Sequence, residues 1–239
     1  MSDKIFSCEF FPPKSEQGDQ NLQVVWEQLS SRNPAFFSVT YGAGGSTRDR
    51  TFATVKKIND AGLAVAPHLS FGGDNKESVT ELLAQYRAMG IRRLEALRGD
   101  LPSGMGGSHL VYANELVEFI RAHSGDYFHI EVAAYPEIHP QSQSYDKDIF
   151  YLKKKLDAGA NSAITQYFYN PDAYFYFLER CRNQGIDKPI VPGIMPVTNY
   201  SNLARFSDNC GAEIPRWVRK RLESYADDSA SLLALGYDV

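Results

Sequence analysis

The chain has 239 residues, enough for one large domain with a complete core, although length alone would also allow two small domains. Its net charge of −4, with both signs interspersed, provides no basic surface for nucleic acid, so we expect no nucleic-acid partner. No segment approaches the ~20 apolar residues of a membrane span, so we expect no membrane partner either.

The start of the chain and its cysteines favour a cytoplasmic location. Residues 1–4 lead directly into the first predicted strand, without the apolar region of a signal peptide. Cys8, Cys181 and Cys210 are odd in number, widely spaced and outside any CxxC motif. This pattern predicts reduced thiols rather than a disulfide framework or a zinc site.

Apolar runs and helical patterns alternate along the chain. The apolar, β-branched or aromatic runs predict strands at residues 5–11, 35–41, 63–69, 92–97, 127–135, 162–169 and 189–197. The helical patterns that follow them cover residues 21–29, 46–61, 77–89, 110–122, 146–158, 171–182 and 199–207. A shorter helical piece follows Pro215, and residues 229–239 begin a further apolar helical pattern.

Seven βα units spaced ~30 residues apart predict an α/β fold with one parallel sheet. We expect strands that are apolar on both faces, as in a closed barrel covered by helices. A (β/α)8 TIM barrel formed by a single domain over residues 1–239 is the first choice, and a doubly wound sheet is the alternative. Because only seven strands are evident, we expect the barrel to lack its eighth strand and helix, through truncation or because another chain supplies them.

Glu9 stands within an apolar strand that Pro12 and Pro13 end. A lone acid in such a strand is costly unless it is paired, protonated or directed into a solvated pocket. One interpretation is a salt bridge to a neighbouring strand. The other is a carboxylic acid whose pKa is raised by apolar surroundings, so that it donates a proton near neutral pH.

In a barrel the active site lies at the carboxyl ends of the strands. Those ends carry a polar set: Glu9, Thr40, Tyr41, His68, Arg98, Asp100, Tyr135, Glu137, Gln166, Met195, Thr198 and Asn199. His68 is equally well explained as a hydrogen-bonded structural histidine, and Arg98 with Asp100 as a turn with a surface ion pair. No later strand carries a lysine for a Schiff base, and the absence of HxH or HExxH argues against a catalytic metal.

Seven segments, in order along nearly the whole chain, carry a resemblance to a known family. They are CEFFPPK (8–14), SVTYGAGG (38–45), APHLS (66–70), ALRGDLP (96–102), AAYPEIHP (133–140), DAGANSAITQYFYN (157–170) and PGIMPVTN (192–199). Together they resemble methylenetetrahydrofolate reductase, and most of all its short bacterial members, which consist of the FAD-binding barrel alone.

The resemblance implies a cytoplasmic flavoenzyme of one-carbon metabolism and methionine biosynthesis. NADH or NADPH would pass a hydride to FAD, and 5,10-methylenetetrahydrofolate would then bind in the same place and become 5-methyltetrahydrofolate. Folate and nicotinamide molecules are therefore the expected partners, with a homo-oligomer as the expected assembly.

The same resemblance assigns roles to individual residues. Glu9, shielded by Phe10 and Phe11, would be the general acid, and Asp100 would influence flavin reactivity. Gln166 would hydrogen-bond the pterin, and Tyr200, at a position where relatives carry Phe, would stack on a substrate. The residues expected to hold FAD are Thr40, His68, Arg98, Asp100, Tyr112, Ala113, Tyr135, Asp148 and Lys155.

The expected lack of the eighth strand leaves a second hypothesis open. In the family that strand carries a Tyr and an Arg that contact the substrates. The chain would then be a catalytically impaired flavin-binding barrel, or a subunit that needs a partner chain. An unrelated barrel lyase or aldolase requires all seven motifs to be coincidental.

Overall fold

The computed structural model describes residues 5–41, 45–71, 75–98, 112–225 and 228–239, with the backbone alone for residues 45–47. The strands are β1 (Cys8–Phe10), β2 (Phe37–Val39), β3 (Val65–Ser70), β4 (Arg93–Leu97), β5 (His129–Ala134), β6 (Ser162–Tyr167) and β7 (Ile190–Gly193). The helices are α1 (Glu16–Ser30), α2 (Gly45–Asp60), α3 (Lys76–Ala88), α4 (Ala113–Ser124), α5 (Tyr145–Asp157), α6 (Pro171–Asn183), α7 (Tyr200–Cys210), α8 (Arg216–Tyr225) and α9 (Ser229–Asp238).

The described strands form one sheet in the order β1-β2-β3-β4-β5-β6-β7. Each strand lies beside its successor in the chain, whereas a doubly wound sheet reverses its order at a switch point. The predicted α/β fold of the TIM-barrel type is therefore confirmed, with seven parallel strands evident in the described part of the chain. None of the described helices is both long enough and apolar enough to cross a bilayer.

The first strand and helix differ from the prediction. β1 has three residues rather than seven, and Ile5 and Phe11, which the prediction placed in a buried strand, are 84% and 63% exposed. Helix α1 begins at Glu16 rather than Asn21 because the Ser15 side chain accepts a hydrogen bond from the Gly18 amide and caps it. The cap, not the first apolar residue, sets the helix start.

Packing divides the chain into two compact units, Met1–Val132 with Ala158–Ala160, and Ala133–Asp157 with Asn161–Val239. The single domain over residues 1–239 stays a prediction.

In the first unit, helices α2, α3 and α4 bury apolar side chains such as Val55, Leu82 and Leu116. Arg121, near the end of α4, joins three separate turns of the backbone. Its guanidinium group donates to the carbonyl oxygens of Gly125, Phe128 and Gly159.

The second unit has a core formed by Tyr167, Val197, Leu203, Ala212, Ile214, Val218, Leu222, Leu232 and Leu235. The Tyr167 hydroxyl lies 2.7 Å from Ser207 Oγ in this core, and the Cys210 thiol donates to it at 3.7 Å. β7 ends at Gly193, earlier than predicted, where a Cβ atom would lie 2.3 Å from the Thr165 carbonyl oxygen. Only glycine permits this approach of β7 to β6.

Candidate active site

One face of strands β1 to β5 carries a row of polar side chains, which corrects the expectation of strands that are apolar on both faces. The register pairs Glu9 with Ser38, and it pairs His68 with Glu95 and Glu95 with Glu131. Side chains of residues paired across parallel strands point to the same face of the sheet. Four of these five side chains are buried, so the row lies inside the protein and Glu9 alone of the row reaches its surface.

Glu9, His68 and Glu95 form a continuous group within the first unit. His68 Nε2 lies 2.8 Å from Glu95 Oε2 and 3.5 Å from Glu9 Oε2. The side chains of His68 and Glu95 are 4% and 8% exposed, whereas that of Glu9 is 49% exposed. The group therefore runs from a buried carboxylate, through a buried imidazole, to a carboxyl group that a substrate can reach.

Charge and burial act against each other in this group. Burial by itself lowers the pKa of His68, but the carboxylates of Glu95, Glu9 and Glu131 outweigh it and raise the pKa to about 9. Removal from water raises the pKa of the Glu9 carboxyl group, the nearby His68 lowers it, and Glu95 raises it. The net direction for the pKa of Glu9 is upward, and its ion-pair contact is with His68 on β3 rather than with the neighbouring strand β2.

The same three residues offer ligand atoms that lie within 4.8 Å of one another. Imidazole and carboxylate bind several divalent ions, but a metal requires the neutral imidazole with a lone pair. A histidine with a pKa of about 9 is protonated at neutral pH and offers none. A metal at this group would have to displace the proton that the surrounding carboxylates favour on His68.

Beside this group, Glu131 forms an ion pair with Arg93. Arg93 Nη1 lies 2.9 Å from Glu131 Oε1, and His129 Nε2 lies 4.0 Å from the same oxygen. Burial, Arg93 and Arg121 together lower the pKa of His129 to about 4. His129 is therefore neutral at the pH at which His68 is charged.

The other predicted FAD residues of the first unit lie at the ends of elements. Thr40 follows β2, and its amide donates to the Phe10 carbonyl oxygen at 2.9 Å. Arg98 follows β4 and is half-buried. Tyr112 precedes α4 and is exposed, while Ala113 is the first residue of that helix. Asp100 lies outside the described residues.

Three predicted FAD residues belong to the second unit. Tyr135 follows β5, and its ring lies edge-on to that of His139, with centroids 4.5 Å apart. Asp148 Oδ2 accepts a hydrogen bond from the His139 amide at 2.9 Å. Lys155 donates to the Ala133 carbonyl oxygen. Burial raises the pKa of Asp148, although the His139 amide and Lys155 oppose that rise.

The two predicted substrate residues of the second unit already have contacts. Gln166, in β6, accepts a hydrogen bond from the Tyr167 amide at 3.1 Å through its side-chain oxygen. Tyr200 is the first residue of α7, and its hydroxyl donates to Glu223 Oε1 at 3.2 Å.

Comparison with known proteins identifies the family. The family model for methylenetetrahydrofolate reductase matches residues 1–239. The 5,10-methylenetetrahydrofolate reductase of Escherichia coli K12 is 41% identical over 234 residues, which cover 98% of this chain and 78% of that protein. The chain belongs to the methylenetetrahydrofolate reductase family.

Further similarities agree with this assignment. Methylenetetrahydrofolate reductase (NADH) 1 of Arabidopsis thaliana is 40% identical over 248 residues, which cover 97% of this chain and 42% of that protein. An uncharacterized protein from Clostridium thermocellum that binds two copies of 5-methyl-5,6,7,8-tetrahydrofolic acid superposes with a TM-score of 0.69. At 17% identity, over 98% of this chain and 82% of that one, this likeness supports the fold alone. The reductase family is one of oxidoreductases that act on folate, as the resemblance implied.

Sequence reasoning missed Glu95 and Glu131 and misjudged the surroundings of Glu9. Both acids interrupt apolar strands in the way that Glu9 does, so the argument applied to Glu9 would have found them. Phe10 does not shield Glu9. Phe10 points to the opposite face of β1, where it stacks on Phe37, and Phe11 is exposed.

Proposed function

We propose that the chain reduces 5,10-methylenetetrahydrofolate to 5-methyltetrahydrofolate, with Glu9 as the general acid. One observation carries the proposal: Glu9, in β1, is a half-exposed carboxyl group with a raised pKa, next to a buried histidine. The family match supports the reaction, and the position of Glu9 beside His68 supports its role as the acid.

Glu9 would act on the folate ring. Opening the five-membered ring of the substrate gives an electrophilic iminium carbon and leaves electron density on the departing nitrogen. A carboxylic acid that is still protonated near neutral pH can transfer its proton to that nitrogen and assist the opening. Desolvation raises the pKa of Glu9 and so favours the protonated form that this step needs.

FAD would supply a ring that takes a hydride from NADH or NADPH and gives it to the methylene carbon, with the two substrates bound in turn. The chemistry of the residues that we propose for it fits this cofactor. Tyr112 and Ala113 lie at the start of α4, a twelve-residue helix, where the positive end of the helix dipole favours a diphosphate. Arg98 and Thr40 add a cation and a hydroxyl group in the first unit, together with His68.

In the second unit, Lys155 offers a cation, Asp148 a carboxylate suited to a ribose hydroxyl, and Tyr135 an aromatic ring. Gln166 has both a donor and an acceptor for the pterin, and Tyr200 an aromatic ring for stacking. For Asp100 the proposal of a place near flavin and pterin rests on the family motif alone.

The remaining parts of the proposal rest on the resemblance. They are a choice between NADH and NADPH, a cytoplasmic location, a place in the one-carbon chemistry that leads to methionine, and a homo-oligomer. The name of the Arabidopsis relative favours NADH.

A Glu9→Gln variant tests the proposed role of Glu9 as the general acid. Purified chain is incubated with FAD, gel-filtered, and examined by visible absorption before and after NADH is added. We expect both proteins to retain flavin bands that bleach with NADH, because Glu9 takes no part in that half of the reaction. Folate reduction should fall by about 10²–10⁴-fold in the variant, the usual contribution of a general acid.

Glu131→Gln is the matched control, since it removes a buried carboxylate from the same row without touching the half-exposed position of Glu9. Equal folate turnover by wild type and the Glu9→Gln variant would remove Glu9 from the acid role. Colourless wild-type protein after incubation with FAD would contradict the flavin part of the proposal.

A further inference from the structure

We propose that Glu95 is a positioning residue that acts on Glu9 through His68, by holding the imidazole ring protonated with Nε2 towards the Glu9 carboxyl group. The inference rests on the proposed acid role of Glu9 for its effect on rate. Its structural part, the link from Glu95 to His68, stands on the geometry of the first unit alone.

The register of the sheet brings the first two residues together. His68 and Glu95 are directly paired across β3 and β4, so the backbone ladder itself sets them side by side. Glu9 approaches the same Nε2 atom from β1, at 3.5 Å. His68 is therefore the one residue of the three that contacts both of the others through a single ring nitrogen.

Burial makes the charges of Glu95 and His68 interdependent. A carboxylate or an imidazolium ion taken out of water alone is strongly disfavoured, whereas the two together form a compensated pair. His68 Nε2 and Glu95 Oε2 lie 2.8 Å apart, and the charge and the polar contact of Glu95 both favour the protonated imidazole. Neutralising Glu95 removes the largest of the charges that keep His68 protonated.

The ionisable groups that act on His68 come from three strands: Glu9 on β1, Glu95 on β4 and Glu131 on β5. Glu131 contributes least of these, and it lies 2.9 Å from Arg93. Glu95 contributes most. Glu95 and Glu131 are both buried and are paired with each other across β4 and β5. Their effects on the pKa of His68 nevertheless differ in size.

Replacing Glu95 should shift the pKa of Glu9 in a definite direction. The nearby imidazolium lowers the proton affinity of Glu9, and the Glu95 carboxylate raises it by a smaller amount. Replacing Glu95 by Gln removes the charge of Glu95, which raises the pKa of Glu9. It also discharges His68 and so removes the larger effect, by which the imidazolium lowers the pKa of Glu9. Glu9 should then hold its proton to higher pH, so the alkaline limb of folate reduction should move upward.

The test compares Glu95→Gln with Glu131→Gln in the full chain. Titration of the ¹⁵N-labelled imidazole of His68 by NMR is the first readout, and the pH profile of folate reduction with FAD is the second. In wild type we expect a His68 midpoint near the pKa of about 9. In Glu95→Gln the midpoint should fall towards or below 6.5, the ordinary value, while Glu131→Gln should move it less. Glu95→Asp should restore part of the difference.

The two proposals fail in different ways. If wild type reduces no folate, the proposed function fails, and the His68 titration still decides whether Glu95 controls the imidazole. If Glu95→Gln does not fold, a wild-type midpoint at or below 6.5 overturns the inference. A folded Glu95→Gln protein with an unchanged His68 midpoint, or with activity reduced equally at every pH, shows that Glu95 only supports packing and overturns it too.

Discussion

At the scale of single residues, several buried polar side chains lie in pairs. Glu95 with His68 and Glu131 with Arg93 are ion pairs within the sheet of the first unit. In the core of the second unit, the Tyr167 hydroxyl pairs with Ser207. A buried polar atom that loses its partner costs about 1–3 kcal/mol, so each pair stabilises the fold only as long as both members remain.

Tyr167→Phe tests this cost without changing the aromatic core. The variant keeps the ring but removes the hydroxyl group 2.7 Å from Ser207 Oγ. We expect the free energy of unfolding, measured by urea denaturation, to fall by about 1–2 kcal/mol, because Ser207 loses a buried partner. Tyr169→Phe is the matched control, since its hydroxyl donates to Met195 across a longer 3.4 Å contact. An equal loss in both variants would show that the contact with Ser207 stabilises the fold no more than the contact with Met195 does.

At the scale of elements, the Arg121 side chain donates hydrogen bonds to backbone carbonyl oxygens near the ends of helices. Gly125 and Phe128 lie between α4 and β5, and Gly159 follows α5. All three carbonyls accept hydrogen bonds from Arg121, which therefore holds the segment Ala158–Ala160 against the first unit. Burial lowers the pKa of Arg121, although Asp126 opposes the effect.

Arg121→Met should destabilise the fold by about 2–4 kcal/mol, because the variant keeps the length of the side chain but leaves several carbonyls without a donor. The measurement is the urea midpoint together with the exchange rates of amides in α4 and β5. Arg221→Met provides the comparison, since Arg221 is exposed and donates to the Tyr225 hydroxyl. Destabilisation of the same size in both proteins would contradict the role given to Arg121.

At the scale of the whole molecule, two histidines whose pKa values are shifted in opposite directions make the stability depend on pH. His68, with a folded pKa of about 9, stabilises the fold fully below its unfolded value of about 6.5, and this contribution is lost as the pH rises through 9. His129, with a folded pKa of about 4, stabilises the fold above about 6.5, and that contribution is lost as the pH falls through 4.

Both contributions are therefore complete only near pH 6.5. We expect the difference in unfolding free energy between wild type and His68→Gln to shrink between about pH 6.5 and 9. The difference between wild type and His129→Gln should shrink between about pH 6.5 and 4. Urea denaturation at a series of pH values measures both. Differences that stay constant with pH would show that neither imidazole has a shifted pKa.

The sequence by itself determined the alternation of strands and helices, the parallel sheet and the family. These follow from signals that are local in the chain: the period of apolar residues, prolines such as Pro12 that end a strand, and seven short motifs. The same local signals identified Glu9 as an acid that needed explanation.

Only the tertiary structure decided which side chains meet. His68 and Glu95 are 27 positions apart, and their contact depends on the register between β3 and β4, which no local pattern specifies. The exposure of Phe11 and the half-exposure of Glu9 likewise depend on how far β1 extends and which face of it is covered. Burial and contact are properties of the folded chain, and they turn a predicted acid into one whose proton affinity is set by its neighbours.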